Sequence, residues 1–403
     1  MLVFCLLSCR ELLEGFGYSI HLLGESVLYF AALFAVCMVC HGECLRLSPE
    51  AEYLTEFYLY IGLGGALGGL AAGLVAPNLF RSYLEWKIGV IASFAVALMG
   101  LIRSSAEGYG KVRFLSLLFA FPTTFLGVFH LLSSDRDPAG LIETTRNFYG
   151  VVAVYEQNSV DCSRHQMIMK HGTTSHGGQF IAALKKRWPT AYYGEQSGVG
   201  RTIGYYLKQK SMRVGIVGLG VGTLASYSRP EDEYRFYEIN PEVLRMGRQY
   251  FTYLDDCRGN CEVVLGDGRV SLERDPPQNF DVLVLDAFSS DAIPVHLLTR
   301  EAFALYRKHL APGGAIAVHI TNRYLRLAPV LQGIAEHFGL KTARIINKED
   351  EDRMVYDADW ILLTKNEELL KSAPVIMIGE ERDEGSVPLW TDHYNSLFPL
   401  LKY

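Results

Sequence analysis

The chain has 403 residues, with 38 Lys and Arg against 44 Asp and Glu, a net charge of −6 and 49% apolar residues. Its length exceeds one typical domain, and the acidic balance gives no global case for a nucleic-acid partner. Eleven His show no metal-ligand spacing, so no metal is expected, and the eight Cys (5, 9, 37, 40, 44, 162, 257 and 261) suggest neither a disulfide framework nor a zinc module. Cys257 and Cys261 fall in an expected loop, and free thiols would suit a cytosolic catalytic part.

Composition changes sharply along the chain, with apolar residues dominating to about Leu132. Residues 1–20 are too short to span a bilayer and carry Arg10, Glu11 and Glu14, which favours an interfacial helix or the remnant of a larger membrane domain over a signal peptide. Four spans are expected, over Glu25–Cys40, Phe57–Leu79, Trp86–Ile102 and Phe114–Leu132. In the second, Gly65, Gly69 and Gly73 recur on one helical face, as close helix packing requires, and no charge near a span centre argues for coupled transport. Positive charge does not decide orientation. If the soluble half works in the cytosol, an even span count leaves both termini cytoplasmic.

A turn-rich linker at 133–144 separates this membrane domain, 1–132, from a small β-rich domain at 145–210 and an α/β domain at 211–403. Asn147–Tyr155 and Arg164–Lys170 read as an antiparallel ribbon, and His171–Gln179 as a glycine-rich loop. Beyond Arg213 strands and helices alternate: strands at 213–217, 235–239, 261–265, 280–285 and 315–320, and helices near 241–250, 299–309 and 325–338. That alternation predicts a doubly wound, Rossmann-like parallel sheet whose ligands bind at the strand C-terminal edge.

Four strand ends carry polar signals. Gly218, Gly220 and Gly222 follow the first strand, where main chain can approach a ligand closely, and a helix starting near Thr223 would aim free N–H groups at it. Glu238 ends the second strand, suited to a ribose diol. Asp267 and Gly268 follow the third, with Asp267 placed for an adenine amino group. Asp286 ends the fourth, where a carboxylate facing a sulfonium can take a proton from an attacking amine. The glycines and Glu238 alone do not separate a dinucleotide from S-adenosylmethionine; all four ends together favour the sulfonium.

With these residues the chain resembles the spermidine synthase (polyamine aminopropyltransferase) family, and more closely its membrane-fused bacterial members. The resemblance rests on Asn147–Gly150, His171–Gln179, Tyr192–Gly200, Gly218–Gly222, Tyr237–Pro241, Gly266–Gly268, Asp286–Pro294 and Trp390–Leu397, with Cys40–Glu43 and Leu54–Leu59 in the membrane half. It implies a class I methyltransferase fold preceded by a small β-domain, a decarboxylated S-adenosylmethionine donor and a diamine acceptor. Gln179 would contact the donor tail or the acceptor, Asp286 the attacking amine and Asp291 the diamine, with His176 and Tyr193 also on the substrate. The implied location is the bacterial inner membrane, and the implied partners are a small amine, the bilayer and a second copy of the chain.

Three positions depart from the family pattern. Val221 replaces an acid that holds the donor amine, Tyr193–Gly198 replaces the diamine-pocket stretch, and Asp286 and Asp291 stand five apart rather than three. Ordinary S-adenosylmethionine is therefore admissible as donor. A methyltransferase acting on a lipid or other membrane-derived acceptor, and a non-catalytic polyamine or nucleoside transporter or sensor, stand as rival readings.

Overall fold

A computed structural model describes residues 22–103, 139–172, 174–287, 294–372 and 389–402. Asp291 and the fourth expected span lie outside the described residues. The chain divides into two compact units, Met1–Ala139 and Gly140–Tyr403.

In the first unit, α1 (Leu22–Arg46) runs six residues past the expected span end, and Arg46 pairs with Glu43 at 2.7 Å in its last turn. Next, α2 (Leu54–Leu70) passes through a π-helical turn at Ala71–Val75 into α3 (Ala76–Leu79), and α4 follows (Leu84–Arg103). Tyr29–Arg46 and Ala51–Leu79 are long and apolar enough to cross a membrane by length and composition, with mean hydropathy 1.3 and 1.7. Their large apolar side chains, among them Phe30, Phe34, Leu63 and Leu67, are exposed. Among the described residues, a Cβ on Gly65, Gly69 or Gly73 would meet nothing within 4 Å.

The second unit opens with a four-stranded antiparallel sheet of β1 (Leu141–Asn147), β2 (Gly150–Gln157), β3 (Gln166–His171) and β4 (Thr174–Phe180). This corrects the two-stranded ribbon. The strand expected at Asn147–Tyr155 is broken by a turn in which Asn147 Oδ1 accepts from the Tyr149 N–H at 2.9 Å. Most of the loop expected at His171–Gln179 is strand β4, and β1 starts inside the expected linker. Small and polar residues hid β4, because pairing to β3, with a register shift between Met169 and Lys170, supplies what side-chain pattern does not.

A seven-stranded sheet follows, with α5 (Gly198–Tyr206) ahead of it. Its members in chain order are β5 (Arg213–Val217), β6 (Glu233–Glu238), α6 (Pro241–Tyr250), β7 (Asn260–Leu265), α7 (Gly268–Arg274), β8 (Phe280–Leu285), α8 (Arg300–Lys308), β9 (Leu310–His319), α9 (Ala328–Phe338), β10 (Lys341–Asn347), β11 (Ala358–Thr364) and α10 (Glu367–Ser372). The order is β10-β11-β9-β8-β5-β6-β7, with β7 through β9 parallel and β11 and β10 antiparallel at one edge. The purely parallel sheet expected from sequence is thus a mixed one of Rossmann-like class I methyltransferase type. Alternation divides the core between the two faces. Val214, Ile216, Phe236, Val282 and Val284 pack with Val152, Val154 and Met169 of the small sheet, whereas Val217, Leu283, Leu285, Ile316 and Val318 pack beneath α8 and α9.

Two local results differ from expectation. The helix expected at Thr223 is a five-residue 3₁₀ turn, Thr223–Tyr227, so no long helix N-terminus faces the glycine loop. Cys257 and Cys261 form a disulfide, with Cα atoms 6.4 Å apart, where free thiols were expected. A four-residue spacing in a loop carries no sign of whether the chain turns back on itself.

Candidate active site

The switch point of the sheet lies between β5 and β8, where Val217 and Leu285 are register partners. Ligands of doubly wound sheets bind outside the strand ends at such a crevice. Gly218 and Asp286 follow those two residues. Gly218 has φ +104, and a Cβ there would lie 2.3 Å from the Asp286 carbonyl oxygen, so only glycine permits this approach. Gly220, φ +55, plays the same part toward His176 of β4, whose carbonyl oxygen would stand 2.6 Å from a Cβ. The two glycines therefore bring three separate segments to one point.

Asp286 is held from both sides. Tyr193 Oη donates to Oδ2 at 2.5 Å, and His319 Nδ1 meets Oδ1 at 2.8 Å. Strand register places His319 there, because Leu285 pairs with Val318 and the next residues are Asp286 and His319. Trp360, opposite His319 on β11, stacks on its ring with centroids 4.6 Å apart. With the proton on Nδ1, His319 donates to Asp286 and accepts at Nε2 from the Thr321 hydroxyl, 2.7 Å away, whose oxygen accepts from the Asp359 N–H at 2.8 Å. Burial, then the adjacent Asp286 charge, push the Tyr193 phenol well up, so it stays a donor.

Two cavities meet at Asp286. One, of about 190 Å³, is lined by Gly218, Gly220, Glu238, Asp267, Gly268, His296 and others from the β5–β7 ends. The other, of about 270 Å³, lies on the opposite side against Thr174, Ser175, Tyr192, Tyr193, His319, Thr321, Asn322 and Arg323. His176, Gly220 and Asp286 line both.

Within the smaller cavity, Glu238 accepts from the N–H groups of Leu219 (2.9 Å) and Asn240 (2.8 Å). Burial raises its pKa, and these backbone bonds oppose the rise. Asp267 caps α7 by accepting from the Val270 N–H at 3.0 Å, while its second oxygen meets His296 Nε2 at 3.0 Å. The His296 contact leads in holding its carboxyl below the usual range. His176 is partly exposed as a residue, yet its Nε2 is closed to solvent and has no hydrogen-bond partner among the described residues. Burial, reinforced by His171, brings its pKa down to about 4, so the ring is neutral at pH 7.

The residues singled out in the sequence are thus only partly assembled. Asp286, Tyr193, His176, Gly218, Gly220, Glu238, Asp267 and Gly268 line the cavities. Gln179 does not: its amide nitrogen donates to Lys186 O (2.8 Å) and Thr252 Oγ1 (3.0 Å), and its oxygen accepts from the Thr252 N–H (2.8 Å), which makes it a buried tie between β4 and the loop after α6. Gly222 also stands apart, packed against Leu254. Val221 is buried, its methyl group facing Gly177 rather than either cavity. Sequence reasoning missed His319, Thr321, Asn322 and Arg323. A sharper reading of the strand expected at 315–320 could have found His319, since the strand ends at the same edge as Asp286.

No family model matches the chain. A polyamine aminopropyltransferase of Vibrio vulnificus (strain CMCP6) is 29% identical over 208 residues, 50% of this chain and 64% of that protein. A probable polyamine aminopropyl transferase of Bifidobacterium longum (strain NCC 2705) is 30% identical over 108 residues, 26% of this chain and 23% of that protein. The chain therefore spans less than two thirds of the length of either relative. Among solved structures, a probable spermidine synthase from Corynebacterium glutamicum ATCC 13032 superposes with a TM-score of 0.43 at 17% identity, covering 57% of this chain and 80% of that one. By these comparisons the chain is similar to the spermidine synthase, or polyamine aminopropyltransferase, family.

Proposed function

We propose that the protein is a membrane-anchored transferase that moves an aminopropyl or related alkyl group from an S-adenosylmethionine-type donor to an amine. The observation that carries this reading is the position of Asp286, a fixed carboxylate at the junction of two cavities. The smaller cavity suits the adenosyl donor. Glu238 keeps lone pairs for a ribose diol beyond its backbone bonds, and Gly218 and Gly220 keep their part of the wall free of side chains. The larger cavity suits the acceptor.

In the transfer, the acceptor nitrogen's lone pair forms the new C–N bond while the C–S bond breaks onto sulfur, leaving a neutral thioether. The nitrogen sheds one proton. Asp286 is the group that attracts the acceptor amine and takes that proton, while Tyr193 and His319 fix the carboxylate's direction. Membrane anchoring is supported by the two long apolar helices with outward apolar faces. Val221 stands where the family pattern has an acid that holds the donor amine, so both S-adenosylmethionine and its decarboxylated form are candidate donors. Asp286→Asn tests the assignment: turnover should fall by roughly two to four orders of magnitude, the range of a lost general base, while calorimetric donor affinity changes little. Unchanged turnover would remove Asp286 from the chemistry.

A further inference from the structure

At the β7 end of the smaller cavity, Asp267 and His296 line the wall as a bonded pair, with Nε2 of the ring 3.0 Å from Oδ2 of the carboxylate. Asp267 Oδ1 accepts from the Val270 N–H at 3.0 Å, so the carboxylate is gripped at both oxygens. Its carboxyl, held below the usual range, stays ionised at neutral pH and can only accept, which puts the shared proton on His296 Nε2. The ring stands there because its backbone is tied down. Arg269, two residues after Asp267 in the first turn of α7, donates from Nη1 to the His296 carbonyl oxygen at 2.8 Å. Asp392 fixes Arg269 in turn, accepting from Nη1 at 2.8 Å and from Nη2 at 2.6 Å, and it also accepts from Thr299 Oγ1 at 2.7 Å. Segments far apart in the chain therefore close on one carboxylate.

An ionised carboxylate fixed in direction presents its remaining lone pairs as an acceptor edge. Ile239, Pro294 and Leu297 supply apolar wall in the same cavity. A flat purine suits such a place when the edge it turns to the carboxylate carries N–H, as the 6-amino group of adenine does. A 6-oxo group would set lone pair against lone pair, and a site built around a hydrogen bond rejects the analogue that cannot make it. Without the His296 contact, Oδ2 of Asp267 would be free to turn, and the acceptor edge would lose its direction.

We propose that His296 is a donor-selecting residue, which holds the Asp267 carboxylate as a fixed acceptor for the 6-amino group of the donor's adenine. This rests on the transferase reading above and names a determinant of its donor site. His296 acts through Asp267, so its role is positioning. The proton stays on Nε2, and no bond to the ring is made or broken.

The test is calorimetry on the purified full-length protein in detergent with 5′-methylthioadenosine and 5′-methylthioinosine, nucleosides that differ at the purine 6-position. The wild type should bind the 6-amino nucleoside about ten- to a hundredfold more tightly, the scale of a hydrogen bond to a charged group. His296→Phe should bring that ratio most of the way to one, and His296→Gln, which keeps an N–H donor, should retain most of it. The side chain is 47% exposed, so the urea midpoint should move little in either variant. In turnover, His296→Phe should raise the donor KM with kcat little changed, unlike Asp286→Asn. A ratio unmoved in His296→Phe overturns the assignment, and His296→Ala carries the same prediction should the phenylalanine variant misfold. Equal wild-type affinities, or a preference for the 6-oxo nucleoside, also overturn it and leave the transferase reading standing. Failure of the wild type to bind either nucleoside, together with no donor turnover, overturns both.

Discussion

At the scale of single residues, burial leads in setting the protonation of His176, Tyr193 and Glu238. His176 shows this most directly. Its folded pKa, about 4, lies below the ordinary 6.5, so between those values the unfolded chain binds a proton that the folded one refuses. Stability therefore rises with pH across that window and is lost as pH falls from 6.5 toward 4. The full difference corresponds to roughly 3 kcal/mol at about 1.4 kcal/mol per pH unit. His171 shifts in the same direction, and Glu238, whose pKa is raised, works against both. Urea midpoints at pH 7.5 and 4.5 should show a steep acid loss in the wild type and a shallower one in His176→Gln. Equal slopes would mean that the His176 ring is not sealed from protons.

At the scale of elements, register and backbone geometry place the chemistry. Gly218 and Gly204 make a contrast that needs no knowledge of ligand. Gly218→Ala should cost more than about 2 kcal/mol, because the new Cβ meets a carbonyl in a backbone conformation that L residues avoid. Displacement of Asp286 should lower turnover as well. Gly204 sits in α5 with nothing within 4 Å of a Cβ among the described residues, and Gly204→Ala should raise stability by about 0.5–1 kcal/mol. Denaturant titration of both variants checks the pair. What sequence could show follows the same division. Strands β5, β6 and β8 were legible because short, largely apolar or aromatic runs end in glycine or acid, and so Gly218, Glu238 and Asp286 were legible with them. β4 was not, because Gly177, Gly178 and Gln179 carry no apolar alternation. The strand edge that carries His319 was legible, but its contact with Asp286 was not, because that depends on which strand lies beside β8, and adjacency of that kind is absent from local pattern. Gln179 was misassigned for a related reason: a polar residue in a glycine-rich stretch looks available for ligand until its three hydrogen bonds are seen.

At the scale of the whole molecule, an apolar helical unit and an α/β unit share one chain, and the functional reading needs both. Alkaline carbonate washing of membranes should leave the full-length protein in the pellet, as helices with apolar faces turned outward require; release into the supernatant would argue for a peripheral attachment. The central claim concerns what leaves the donor. The most direct measurement is the identity of the nucleoside released when purified protein is incubated with S-adenosylmethionine, or its decarboxylated form, and an amine acceptor. Amine-dependent 5′-methylthioadenosine is the expected product, since it marks transfer of the longer alkyl arm. S-adenosylhomocysteine in its place would make the protein a methyltransferase and contradict the assignment.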